Sequence, residues 1–243
     1  MKIEQLYGLA VTAWLVLTSG KRDMQRFRQI KIFIFTYFIA AVLALTALPP
    51  SYVKAGQSAE ADKSPAADVI RKFNAALLES MKRAKELGYS GRYNLLSPVI
   101  KDSFALPFMA SISVGRYWKT LDKKEESQLL EAYTQWTIAT YAGRFDDYSG
   151  ERFDLVSESK PVQGTVTVVS KLIESNNEEV DFYYKLRKIE GRWRIVDIQL
   201  SGVSQLALTR SQFLSVIKDK CFDGLISMLK DKIKSFSGRK NGS

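Results

Sequence analysis

The chain has 243 residues, a net charge of +10, no histidine and a single cysteine. The lack of histidine excludes Ser-His-Asp and Cys-His nucleophile systems and histidine-based metal sites, and one cysteine cannot form an internal disulfide. Half of the net charge lies in residues 1–55, and the other charges are mixed along the chain rather than gathered in a nucleic-acid-binding stripe. We therefore expect no catalytic set, no cofactor, no metal ion and no nucleic-acid partner.

The N-terminal region has the pattern of an export signal. Basic residues after Met24 precede an apolar run over residues 32–48, and small residues follow two prolines. We predict a signal peptide over residues 24–55, cleaved after Ala55 or, as second choice, after Ala61. A retained membrane anchor is the alternative, because the apolar run comes close to the length of a bilayer span.

Residues 1–23 do not belong to this signal. They contain a shorter apolar run over residues 6–17, so the chain either starts at Met24 or begins with a two-pass hairpin. The run is too short for a full span, which favours a misassigned start over the hairpin.

The next part of the chain is predicted to be helical. Residues 56–64 are expected to form a flexible linker, and Ser64 followed by Pro65 begins a first helix that ends near Gly88. A second helix is predicted over residues 92–101, and Pro107 marks the start of a third. Asp122 and Glu125 then form a capping box, which opens a long helix that ends within residues 143–148.

From residue 152 the apolar period changes to two. Strands are predicted over residues 152–157, 162–173, 180–188 and 192–200, with turns at 176–177 and 190–191. In the last strand the alternation places Trp193 and Ile195 on one face of the sheet and Val196, Ile198 and Leu200 on the other face. We therefore expect two apolar faces, with helices on one side and more helix or a cavity on the other.

The C-terminal part returns to helical spacing. One helix is predicted around residues 208–217 and another over residues 222–233, followed by a disordered tail over residues 236–243. The pattern as a whole predicts one α+β domain over residues 65–235, built on an antiparallel meander.

Three polar residues are candidates for chemistry. Asp197, between two apolar strand residues, would suit a general base in an apolar cavity, although a solvent-facing or arginine-paired carboxylate is favoured. Arg210 suits either a structural ion pair or a lipid phosphate. Cys221 has no neighbouring base and is interpreted as a packing residue.

Four segments, over residues 114–118, 140–145, 191–198 and 202–213, carry a family resemblance in their sequence, order and spacing. They resemble the exported toluene-tolerance family, the phospholipid-binding periplasmic proteins of the Mla pathway, across roughly residues 69–234. The last segment, with Gln205, Leu206 and Ala207, is more similar to the hopanoid-associated branch of that family.

The resemblance implies a twisted antiparallel sheet of about four strands wrapped by N- and C-terminal helices, with lipid tails buried between the two layers. It implies a monomeric, non-enzymatic carrier in the periplasm of a Gram-negative bacterium. Its cargo would be a phospholipid or a hopanoid-type lipid. Its partners would be an inner-membrane lipid transporter of the ABC type and an outer-membrane lipoprotein/porin complex.

We predict that apolar residues of both layers line the tail pocket: Phe104, Phe108, Met109, Trp136, Tyr141, Val166, Val168, Phe182, Tyr184, Val196, Ile198, Leu200, Val203, Phe213 and Ile217. Arg210 would contact the headgroup or form an ion pair. Two other hypotheses stay open. One is an isomerase-like enzyme on a cone-shaped α+β fold that acts on an apolar small molecule, and the other is a scaffold with a filled core.

Overall fold

A computed structural model of the protein describes residues 64–238. The predicted signal peptide, the segment before it, most of the linker and residues 239–243 lie outside the described residues.

Within this range the chain forms five α-helices and one 3₁₀ helix. They are α1 (Pro65–Lys82), α2 (Ala84–Ser103), α3 (Leu106–Val114), the 3₁₀ helix (Gly115–Thr120), α4 (Lys123–Arg144) and α5 (Gln205–Ser237). Both predicted caps are confirmed. The Ser64 hydroxyl accepts from the first free backbone amides of α1, and Asp122 with Glu125 forms the capping box of α4.

Two helices are each broken by one residue with positive φ. Gly88 breaks α2 at φ 58° and ψ −175°, so the predicted boundary there lies inside α2, and α1 ends earlier, at Lys82. Cys221 breaks α5 at φ 57° and ψ −172°, a backbone region that essentially only glycine adopts without strain. Cys221 therefore does lie between two helical pieces, but its side chain is exposed, so the predicted packing role is wrong.

The sheet is an antiparallel meander, as predicted, in the order β1-β2-β3-β4-β5. The strands are β1 (Arg152–Glu158), β2 (Thr165–Ile173), β3 (Glu179–Ile189), β4 (Arg192–Leu200) and β5 (Val203–Ser204). The α+β fold class is confirmed, and only the two-residue β5 was not predicted.

A β-bulge in β4 overturns the prediction of two apolar faces. Lys185 pairs with Asp197 and Leu186 with Ile195, so Val196 is an extra residue in the ladder. The bulge shifts the parity of β4 and brings Ile195 and Ile198 into the same core. On β2 and β3 buried residues alternate with partly exposed ones, so within residues 64–238 one face of the sheet is open to solvent and has no second layer over it.

The helices cover the other, inner face of the sheet. Helix α1 packs on β1, β2 and β4, while α2, α3 and α5 pack on β4, and α4 lies against α2 and α5. The buried Arg92 of α2 fixes that helix to the end of α4, because its guanidinium donates to the carbonyl oxygen of Ala142 at 2.9 Å. It also donates to the carbonyl oxygen of Ala84, at the start of α2 itself, at 3.0 Å. Among residues 64–238 no helix combines the length and the hydropathy that a membrane span requires.

Helix α5 continues past the predicted domain boundary at residue 235. Phe236 is buried and packs where Gly143 leaves room in α4: a β-carbon at Gly143 would come within 2.3 Å of the Phe236 ring. The start of the segment predicted to be disordered is therefore an ordered helix end.

Candidate binding site: the apolar interior

Seven aromatic rings form a continuous cluster between the sheet and its helices, which we call the sheet-side cluster. Its members are Phe73, Phe104, Tyr141, Phe145, Phe153, Phe182 and Tyr184. Phe73, on α1, lies at its centre, with ring centroids 5.1 Å from Phe104, 5.2 Å from Tyr141 and 6.2 Å from Tyr184. Side chains thus fill the centre of the predicted tail pocket in this structure.

A second group of rings, the helix-side cluster, lies between α4 and α5. It consists of Tyr133, Trp136 and Phe213, whose centroids are 5.6 to 6.2 Å apart. The predicted pocket residues are therefore divided: four aromatic members lie in the sheet-side cluster and two in the helix-side cluster.

The other predicted pocket residues differ in depth. Those buried in the main core are Met109, Val166, Val168, Ile198 and Ile217, while Phe108 and Leu200 are partly buried against it. Val196 is buried at the bulge but does not belong to the main core. Val203 is 37 % exposed on β5, so the structure places it on the surface rather than in the interior.

A buried polar network joins α1 to the sheet beside Phe73. The Tyr184 hydroxyl donates to Asn74 Oδ1 at 3.2 Å, and Asn74 Nδ2 donates to the Ser170 hydroxyl at 2.8 Å. All three side chains are buried. Burial raises the pKa of Tyr184 well above its usual value, so the phenol stays protonated and keeps its donor role.

Tyr184 was predicted to line the pocket, but Phe73, Asn74 and Ser170 were missed from the sequence as site residues. The helical spacing placed Phe73 on the apolar stripe of α1, but a stripe does not say what it faces. The available signal was Asn74, which follows Phe73 in the sequence. A buried amide side chain nearly always has a hydrogen-bond partner, so an asparagine beside the apolar stripe of α1 pointed to a polar partner in the interior.

Asp197 is buried and, among the described residues, makes no ion pair with an arginine, so the predicted solvent-facing or arginine-paired carboxylate is not found there. It is buried at the bulge, and its Oδ1 accepts from the backbone amide of Leu206 at 3.1 Å. This bond satisfies a free amide in the first turn of α5, and a carboxylate there is favoured by the helix dipole. The side chain therefore fixes the start of α5 on β4, so the carboxylate that the isomerase hypothesis would use as a base is held in a structural hydrogen bond.

Arg210 lies beside Gly115, where a β-carbon would come within 2.9 Å of its Nη2. Its Nη1 is 3.4 Å from the carbonyl oxygen of Ile112, near the C-terminus of α3, where positive charge is favourable. Among residues 64–238 it makes no ion pair with a carboxylate, and the side chain is exposed.

Two open grooves lie on the helical surface and not between the layers. One, of about 380 Å³, separates α2 from α4, and the other, of about 450 Å³, separates α1 from α2. No group of three His, Cys, Asp or Glu side chains in the described part of the chain is arranged to hold a metal ion.

A one-sided meander, helices on its inner face and an aromatic interior between them define an α+β fold that is shared with a phospholipid-binding protein. That protein, from Ralstonia solanacearum, was solved in complex with a phospholipid; the two structures agree with a TM-score of 0.59 at 19% sequence identity. The match covers 75% of this chain and 99% of the other.

The model of the MlaC protein family matches residues 71–231, and the chain therefore belongs to the MlaC family. It is also 22% identical over 128 residues to the intermembrane phospholipid transport system binding protein MlaC of Haemophilus influenzae. That match covers 51% of this chain and 60% of the relative, so the chain spans somewhat more than half of that protein's length.

Proposed function

We propose that the protein is a periplasmic lipid carrier that takes up the tails of a phospholipid or a hopanoid-type lipid between its sheet and its helices. It would exchange this cargo with an inner-membrane transporter and an outer-membrane complex in a Gram-negative bacterium. The observation that carries the proposal is the sheet-side cluster, an aromatic interior between two layers of the MlaC fold. The phospholipid bound by the Ralstonia protein supports the choice of cargo class.

In this proposal α1 is the element that the lipid displaces. Phe73 occupies the centre of the interior, and α1 is fixed beside it by the polar bonds of Asn74. Each buried CH₂ of a tail contributes about 0.8 kcal/mol, so a few methylenes offset the loss of the ring contacts and of two hydrogen bonds. The closed interior would then re-form when the lipid leaves. Its ring contacts and hydrogen bonds would offset part of the free energy that is lost on release.

Arg210 is proposed to meet the polar end of the lipid. It is exposed, lies at the junction of α3 and α5, and forms no ion pair among the described residues. A guanidinium with free donors can bind a phosphate in a bidentate manner.

The direct test is extraction of the purified protein with organic solvent, followed by mass spectrometry. A stoichiometric glycerophospholipid or hopanoid-type lipid is the expected result, and its identity decides between the two cargo classes. Protein that carries no lipid and transfers no fluorescent phospholipid from donor to acceptor vesicles would contradict the proposal.

A second test addresses the movement of α1. Spin labels at the exposed Lys72 on α1 and at Lys185 on the outer face of the sheet, in a Cys221→Ser background, should move apart by several ångströms when lipid binds. A control pair at Lys171 and Lys185, both on the sheet, should keep its distance. An unchanged separation of the first pair in lipid-loaded protein would exclude α1 as the moving element.

A further inference from the structure

One end of the sheet is basic and has no role in the proposed carrier. In an antiparallel meander the 159–164 turn and the 190–191 turn lie at the same end, because β1 and β3 both finish there. We call the residues around these two turns the basic end of the sheet. Six basic residues lie there against three acidic ones: Lys101, Lys160, Arg187, Lys188, Arg192 and Arg194 against Asp102, Glu158 and Glu190.

The fold explains only part of this charge, because Arg192 pairs with Asp102 and Arg194 is held at the end of α2, whereas Arg187 has no such contact among residues 64–238. Arg187 and Arg194 are directly opposite each other in the β3–β4 register, an arrangement of like charges that destabilises a sheet. Arg194 is held by the carbonyl oxygens of Lys101 and Asp102 at the end of α2. Arg187 is exposed and makes no ion pair among residues 64–238.

The same end also carries exposed apolar surface. Val162, next to a tight turn at Gln163 and Gly164, is 69 % exposed, the largest exposure of any large apolar residue in the described part of the chain. On the neighbouring hairpin the partly buried Trp193 lies beneath Lys188, whose Nζ is 5.5 Å from the ring centroid. A tryptophan and an apolar tip surrounded by basic side chains are typical of surfaces that meet the headgroup region of a bilayer.

The opposite end of the sheet has the opposite charge. The 174–178 turn and the start of β1 gather Glu151, Glu174, Glu178 and Glu179. Opposite charges at the two ends give the domain an electric dipole along the strands, so an anionic surface attracts the basic end and repels the acidic end.

We propose that the basic end of the sheet docks on the surface of an anionic phospholipid bilayer. This surface is distinct from the apolar interior, and the proposal does not require that the interior hold a lipid. Lys, Arg and Trp side chains would contact headgroups, while Val162 would enter the boundary between headgroups and acyl chains.

Co-sedimentation with vesicles tests this directly. The purified protein should bind vesicles of phosphatidylglycerol mixed with phosphatidylcholine, should not bind phosphatidylcholine alone, and should dissociate as salt is raised. Arg187→Gln/Lys188→Gln should lower the partition coefficient about 25-fold, at roughly fivefold per charge. Val162→Ser should lower it further.

The matched control is Arg152→Gln/Lys171→Gln, which removes one arginine and one lysine from the same sheet at its acidic end. It should change binding by less than about twofold. Arg187→Gln alone should keep or raise Tm, because it relieves the like-charge pair, which separates lost docking from lost folding. Extracted lipid should be unchanged in all of these variants.

Three outcomes would overturn the proposal: equal binding to neutral vesicles, an equal loss in the control variant, or no binding to phosphatidylglycerol vesicles at all. In the last case the basic end would be assigned to an acidic protein partner instead of a bilayer.

Discussion

Replacing Phe73 with alanine distinguishes a ring that only fills the core from a ring that a lipid tail displaces. Phe73 is 0% exposed, and its ring meets three others edge-on within 6.2 Å. A buried Phe→Ala change costs about 3–5 kcal/mol, and the three ring contacts place lipid-free protein toward the upper value. For a domain of this size, a loss of about 4 kcal/mol lowers Tm by roughly 8–16 °C.

In lipid-loaded protein the ring should already have left the centre of the interior, so the same substitution should cost less than about half as much. The assay is urea unfolding of delipidated and reloaded protein, followed by circular dichroism. Phe73→Leu provides a milder variant if the alanine variant does not fold. Phe236→Ala is the matched control, since Phe236 packs on Gly143 outside the sheet-side cluster, and its cost should not depend on lipid. Equal losses for Phe73→Ala in both states would refute the reasoning.

Three further substitutions have expected outcomes of different sign. Gly143→Ala should lower the free energy of unfolding by about 1–3 kcal/mol, because the new β-carbon meets the Phe236 ring, and Phe236→Ala should reduce that loss in the double variant. Cys221→Gly should instead stabilise the protein by about 1 kcal/mol in urea unfolding, since its φ of 57° suits glycine, whereas Cys221→Ala should not. Burial raises the pKa of the Tyr133 phenol above its usual 10.0; the unfolded chain then ionises first, and stability should fall as pH rises above about 10. Tyr133→Phe should make that alkaline loss smaller in pH-dependent melting curves, and an unchanged slope would argue against a buried phenol.

Local signals were enough to predict most of the secondary structure. Ser64 with Pro65, and Asp122 with Glu125, are caps whose partners lie within one helical turn, so the sequence contains the whole interaction. The strands of the meander follow from their period and from short turns, and the start and end of β4 agree with the prediction. All of these features depend on neighbours along the chain.

Features that depend on distant partners were not predicted. The bulge at Val196 depends on the register between β3 and β4. It places Ile195 and Ile198 in one core, whereas strict alternation would put them on opposite faces of the sheet. Asp197 is satisfied by a helix that starts after a further turn, and Asn74 by strands about a hundred residues away. The predicted pocket members Trp136 and Phe213 belong to a separate cluster because helical spacing fixes a face but not its neighbour.

The open outer face of the sheet has a consequence for recognition. The side chains of this outer face contact solvent. Binding or release of a lipid would change the opposite, inner face, where the sheet packs on the helices. In the proposed carrier, a partner that touches only this outer surface would meet the same shape and charge whether or not the interior holds a lipid. Any receptor that must tell the two apart has to read the positions of the helices, and α1 with Phe73 is the part of that layer most directly tied to the interior.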